Sequence, residues 1–314
     1  MNDRAEALTI LRESGVVVFV NSAAGRGRAR TFQGPIQKRF ESFHVQPHFV
    51  MTNSAAELES SAKDAISNGR RTLFAMGGDG TFHALANAAF GTDALLGVLP
   101  LGGGNDFAAA LGLPDDPVRA AEALLRGHPR FVDLARVRTG EGRTRLYAGG
   151  GGIGLDAQAL QYANGMFRHF PGRFRYVASA LRALAGYVPI DARLEFPGSA
   201  FSAMEAKVLL AGVLNTPTYG AGMQLAPGAD IGDGLLEVVL LENLNVFEVM
   251  AILPRLIGSG ALRTSRLKRW RIQRVRLTTG QSCLFHGDGE IIGPTPVEIE
   301  AVPRAIQVLA PSME

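Results

Sequence analysis

Over its first 135 residues the chain repeats one arrangement, and this limits the fold more than any other feature. A short apolar, β-branched run is followed by a loop and then by a segment of helical period. The runs are "GVVVFVN" (15–21), "VQPHFVM" (45–51), "TLFAMGG" (72–78) and "ALLGVLPLG" (94–102). The helical segment "NSAAELESSAKDAISNG" carries its own punctuation: Ser54 and Glu57 have capping-box spacing, and Gly69 stands where a C-terminal stop belongs. Strands alternating with helices predict a parallel sheet covered on both faces. Ligands of such sheets bind beyond the carboxyl ends of the strands. Three glycine-rich loops follow strands here, "NSAAGRGRA", "GGDGT" and "LPLGGGND", and are expected to converge as an anion pocket.

After "FVDLARVRTGEGRTRLYAGGGG" the pattern changes. Residues 190–310 read mostly as strands, among them "DARLEF", "AKVLLAGVLN", "LLEVVLL", "WRIQRVRLTT", "SCLFHGD", "TPVEIEAV" and "AIQVLA". Helical patches interrupt them near 172–187 and 245–258. This predicts an antiparallel β-sandwich, so the fold class is α/β plus all-β. The expected domains are 1–138 and 139–314, meeting in a turn-rich stretch.

A length of 314 residues suits two domains, and 46% hydrophobic against 19% charged residues suits full cores. A net charge of +3 permits an anionic partner without demanding one, and no nucleic-acid partner is expected. The single cysteine, Cys283, excludes an intrachain disulfide framework and fits a reducing compartment. The start "MNDRAEALTI" has no signal-peptide pattern, and "VFEVMAILPRLIG" is broken by Pro254 and Arg255. A cytoplasmic protein that meets membranes only at their surface is expected.

The "GGDGT" loop poses the sharpest chemical question. Gly77, Gly78 and Gly80 allow a tight turn whose backbone N–H groups form an anion nest, with Thr81 expected to cap the next helix. Asp79 would repel a phosphate there, so it makes sense with a divalent cation such as Mg²⁺ or as a base. The alternative is a tight turn in which Asp79 caps a helix. Arg26, Arg28 and Arg30 beside Gly25 hold phosphates or form a solvated loop.

Other signals are weaker. "GGGGIG" (149–154) reads as a structural turn, since no acid follows at dinucleotide-fold spacing. There is no Walker A lysine and no G-x-S-x-G elbow. The six histidines lack metal-ligand spacing, and His83 reads as a packing residue. Phe167, Phe170, Phe174 and Tyr176, interleaved with Arg168, Arg173, Arg175 and Arg182, suit either a membrane interface or core packing.

Taken in order, "VNSAAGRGRA", "GGDGTFHALANA", "LGVLPLGGGNDFAAALGLP", "FVDLARV", "PGADIGDGLLEVVLL" and "HGDGEIIGPTPVEIEAVPRAIQVLAP" resemble the motifs of the diacylglycerol kinase catalytic-domain family, above all its small bacterial soluble lipid kinases. They cover nearly the whole chain. The resemblance implies an α/β domain, a β-sandwich and a C-terminal tail that can return to the first domain. It implies nucleotide contacts at Asn21, Ser22, Gly25, Thr52, Gly77, Gly78, Asp79, Gly80, Thr81, Gly103, Asn105 and Asp106. It also implies a metal site at Asp230, Asp233 and Leu235, the last through its backbone carbonyl. Glu290 is then the proton acceptor with Asp79 as rival base, and Asp106 and Asp133 complete the acidic set.

The implied activity is transfer of the γ-phosphoryl group of ATP, with Mg²⁺, to the hydroxyl of a diacylglycerol-like lipid at a membrane surface. A homodimer is compatible with it. The alternatives are an NAD kinase, which shares the GGDGT loop, and a non-catalytic nucleotide- or lipid-binding regulatory protein. Three departures from the family pattern imply altered nucleotide affinity. Ser22 follows Asn21 where proline is usual, Gly103 replaces a hydroxyl residue, and His83 replaces an asparagine.

Overall fold

The computed structural model describes residues 2–167, 169–170, 172–220, 222–244, 248–249 and 264–311. Most of the helical patch expected at 245–258 lies outside them, as do Arg168 and the side chains of Arg173, Phe174, Arg175 and Tyr176. The chain forms two compact units. One comprises Met1–Asp133 with Arg304–Glu314, and the other Leu134–Pro303.

The first unit runs α1 (Asn2–Ser14), β1 (Val16–Asn21), α2 (Ala29–Glu41), β2 (Pro47–Thr52), α3 (Ala55–Ser67), β3 (Thr72–Gly77), α4 (Asp79–Ala89), β4 (Leu95–Pro100), α5 (Asp106–Ala110) and α6 (Pro117–Leu125). Its strands are parallel in the order β2-β1-β3-β4. Gln307 and Val308 of the C-terminal strand add beside Leu95 and Leu96, also in parallel. Every residue of β3 and β4 is buried, which is why these strands read as unbroken apolar runs. The punctuation of α3 is as the sequence predicts. Ser54 Oγ accepts the Glu57 N–H at 3.1 Å, and Gly69 ends the helix at φ +83°. The Glu57 carboxylate reaches back to the N–H of Asn53 at 2.8 Å, one residue beyond the usual box.

The second unit is antiparallel and sandwich-like. Its elements are β5 (His128–Thr139, which begins in the first unit), β6 (Thr144–Tyr147), β7 (Gly150–Gly154), α7 (Leu155–Asn164), α8 (Gly172–Ala185), β8 (Ile190–Glu195), β9 (Met204–Leu214), β10 (Leu236–Glu242), β11 (Leu267–Ile272), β12 (Arg274–Thr279), β13 (Leu284–Gly287), β14 (Glu290–Pro294) and β15 (Val297–Ala310, which ends in the first unit). Strand β10 explains the run "LLEVVLL". Leu236, Val238 and Leu240 pack into one core with Tyr147, Phe285 and Val275, while Val239 and Leu241 enter a second with Leu184, Leu214 and Tyr219. Both faces of the strand are therefore buried.

Three expectations need correction. "WRIQRVRLTT" is not one strand but two, β11 and β12, parted at Gln273. "TPVEIEAV" and "AIQVLA" belong to one strand, β15, within which Arg304 takes a left-handed φ of 51°. "GGGGIG" is not a turn but strand β7, crowded on both sides. A Cβ on Gly151 would lie 2.4 Å from the His286 carbonyl oxygen, and one on Gly154 (φ +117°) 2.4 Å from that of Leu209. Glycine is required there for close strand approach.

Candidate active site

The loops after β1, β3 and β4 are bonded to one another through their backbones. Leu101 N–H donates to the Gly77 carbonyl at 2.7 Å, and Gly25 N–H, from a left-handed residue, donates to that of Leu101 at 2.9 Å. Gly78 and Gly102 touch: a Cβ on Gly102 would stand 2.5 Å from Gly78 Cα and 2.7 Å from Asn105 Oδ1. These two positions are glycine because one loop lies against the other. Gly102→Ala should therefore lower stability by about 1–3 kcal/mol through overpacking. A thermal melt matching wild type would show that the loops can part without cost.

Asp79 fastens this assembly. One carboxylate oxygen accepts the Asn105 N–H at 2.9 Å and the other the Phe107 N–H at 3.2 Å. The charge thus holds the start of α5, a helix in the neighbouring loop. Asn105 is left-handed at φ 58°, and its side-chain oxygen accepts the Gly102 N–H at 2.9 Å. Phe82 of α4 stacks on Phe107 of α5 with ring centroids 4.3 Å apart. Asp106 is buried at the start of α5, and Gly103 is exposed in the loop before it.

Thr81 does not cap α4. That helix starts at Asp79 with Gly78 as its N-cap residue, so Thr81 and Gly80 lie in its first turn, and Thr81 Oγ1 accepts from Asn21 Nδ2 at 3.3 Å. Asn21 Oδ1 in turn accepts the Ala23 N–H at 3.0 Å. Ser22 donates its N–H to the Thr52 carbonyl at 2.9 Å and its hydroxyl to Asn53 at 2.9 Å, so the first loop is held without the usual proline. Thr52 is buried, with its hydroxyl donated to the Val20 carbonyl at 3.2 Å. Arg28 Nε donates to the Gly25 carbonyl at 3.1 Å and so braces its own loop. His83 is fully buried, and Asp133, also buried, accepts the Arg304 N–H at 2.7 Å, tying the C-terminal segment into the first unit. A groove of about 340 Å³ lined by Val17, Phe19, His48, Val50 and Arg70 shares no residue with the glycine loops.

In the second unit the "GDGE" segment is the tight connection between β13 and β14. Asp288 and Gly289 turn it with φ of 48° and 85°. The Asp288 carboxylate accepts three backbone N–H groups, from Ala148 (2.7 Å), Gly149 (2.9 Å) and Gly150 (3.1 Å). Sequence reasoning missed this residue. Its one signal was an acid at the tip of a glycine-flanked turn. Burial, and then the Asp288 charge, push the neighbouring Tyr147 phenol well above its ordinary range. Glu290 opens β14 opposite Gly287, half-buried, with Arg145 at 3.9 Å. Next to this turn, buried His286 shares a hydrogen bond with Tyr219 at 2.7 Å.

The Asp230–Leu235 turn has a donor set of hard oxygens, the kind that suits Mg²⁺. Three of those oxygens have partners within the protein. Asp230 Oδ1 accepts the Gly232 N–H at 3.0 Å, Asp233 Oδ1 accepts the Leu235 N–H at 2.9 Å, and Asp233 Oδ2 is ion-paired with Arg271. The Asp233 hydrogen bond and charge raise the Arg271 guanidinium further, and burial raises Glu237 beside it. A divalent ion bound at Asp233 Oδ2 would have to replace the Arg271 guanidinium there. Among the described residues no group of three or more His, Cys, Asp or Glu side chains is placed to hold a metal.

This fold and these loops define a class. Residues 15–137 match the diacylglycerol kinase catalytic domain, and residues 151–310 match the YegS C-terminal NAD kinase beta sandwich-like domain. The chain belongs to the diacylglycerol kinase and YegS-like family of lipid kinases. It is 29% identical to a diacylglycerol kinase of Mycobacterium tuberculosis, over 94% of this chain and 95% of that one. It is 30% identical to a protein of Stenotrophomonas maltophilia named "probable lipid kinase YegS-like", over 85% and 88%. A crystal structure of a diacylglycerol kinase from Bacillus anthracis has the same fold, with a TM-score of 0.72 at 18% identity, covering 95% of this chain and 97% of that one.

Proposed function

We propose that this kinase transfers the γ-phosphoryl group of ATP, supplied as its Mg²⁺ complex, to the hydroxyl of a diacylglycerol-like lipid. The observation that carries the reading is the cross-bonded set of three glycine loops held by Asp79. Phosphoryl transfer asks mainly for fixed positions and compensated charge. Backbone N–H groups at the start of α4, an 11-residue helix, supply both for a phosphate. Asp79 holds the loop bearing Gly103, Asn105 and Asp106 in place against Gly78, and so fixes the rim of that nest. Glu290 takes the proton of the lipid hydroxyl. The oxygen then bonds to the γ-phosphorus as the bond to ADP breaks.

The lipid is met at a membrane surface from the cytoplasmic side. Among the described residues no helix is long and apolar enough to cross a membrane. Met166, Phe170 and Leu181 expose 64%, 50% and 41% of their surface on or beside α7 and α8. Arg182, also exposed, covers the Tyr162 ring at 5.1 Å, a pairing suited to a headgroup layer.

Lipid mass spectrometry of cells overproducing the protein tests this reading. Accumulation of a lipid phosphomonoester, with NADP unchanged, is the expected result. Raised NADP would identify an NAD kinase instead, and unchanged lipid and nucleotide pools would leave only a binding protein.

A further inference from the structure

The turn carrying Asp230, Asp233 and Leu235 is closed by a guanidinium on the adjacent strand. Arg271 of β11 stands directly across the ladder from Glu237 of β10, so the two side chains share one face of the pair. From there Arg271 Nη2 donates to Asp233 Oδ2, while its Nε lies 4.0 Å from Glu237 Oε1. Arg269, two residues earlier and on the same face, is anchored by its Nε–H on the Leu225 carbonyl at 2.7 Å. The backbone N–H of Leu235 takes the remaining Asp233 oxygen, and that of Gly232 takes Asp230 Oδ1.

We propose that Arg271 is the resident cation of this turn, standing where the family resemblance places a divalent metal, so that the turn keeps its shape without metal. A guanidinium is always charged in proteins, and its fork reaches two carboxylates at once. Mg²⁺ demands a near-octahedral set of oxygens and would bring a double positive charge beside that guanidinium. At Asp233 Oδ2 it would have to displace Arg271. The signal is in register and not in motif, because Arg271 lies 38 residues beyond Asp233 and is brought to it by the β10–β11 pairing.

The test uses the full chain without nucleotide, so its outcome does not depend on the kinase reading. The wild-type melting temperature should be the same in chelator and in saturating Mg²⁺, and electron paramagnetic resonance should show no bound equivalent of Mn²⁺. Arg271→Met, which removes one partner of a half-exposed pair, should melt lower in chelator by about 1–3 °C. Its melting temperature should then rise with added Mg²⁺, and Asp233→Asn in the same background should abolish that rise. The proposal is overturned if wild type loses stability on chelation and regains it with Mg²⁺, or if it binds one Mn²⁺ that Asp233→Asn removes. It is equally overturned if Arg271→Met melts like wild type, or if it ignores Mg²⁺. Should that variant not fold, the two wild-type measurements and Asp233→Asn decide alone.

Discussion

Asp79→Asn should reduce phosphoryl transfer by about 100-fold or more, since even ~1 Å of misplacement in a positioning element costs that much. The carboxylate presents one oxygen to Asn105 N–H and the other to Phe107 N–H. Asparagine keeps a single acceptor and turns an NH₂ group toward the second donor. The left-handed Asn105 and the start of α5 then lose their anchor, and the glycine contact between residues 78 and 102 loosens with them. Because a hydrogen bond to a charged group is lost, stability should also fall, by about 1.5–3 kcal/mol. Steady-state kinetics and calorimetric melts on the same preparation check both effects. Wild-type turnover together with a lowered melting temperature would show that the carboxylate holds the loops but that the loops do not serve the chemistry.

Glu290→Gln should lower kcat by about 10²–10⁴-fold, the usual contribution of a general base. Its effect on stability should be small, because the bracing in this hairpin comes from Asp288, which gathers three N–H groups two residues earlier. The nucleotide contacts expected from the resemblance lie in other loops, so the KM for ATP should stay near its wild-type value. A split of kcat against KM, measured on the isosteric variant, is therefore diagnostic. A raised KM with unchanged kcat would assign Glu290 to substrate binding and leave the base to be found elsewhere.

Much of the first unit is legible in the sequence because a parallel sheet buried on both faces leaves continuous apolar runs, and because Ser54, Glu57 and Gly69 mark a helix with residue types that have few other uses. The glycine loops were legible as a set, but the reason for their glycines was only half visible. Gly78 and Gly102 are required by each other, and no local pattern reports a contact between two loops. The partners of Asp79 lie 26 and 28 residues away and are backbone groups, which leave no side-chain signature. Asp288 was hidden in the same way. The run at 149–154 misled because glycine disfavours strands in general, and only the close approach of His286 and Leu209 explains why β7 needs it. Arg271 could not be assigned to Asp233 before the register of β10 and β11 was known.

The central claim is tested most directly by offering [γ-³²P]ATP and Mg²⁺ to the purified protein with diacylglycerol in mixed micelles, and by counting label in the chloroform-soluble phase. Time-dependent transfer into that phase by wild type, reduced about 100-fold or more in Asp79→Asn, is the expected result. Label that stays entirely in the aqueous phase, with wild type and variant alike, would contradict it.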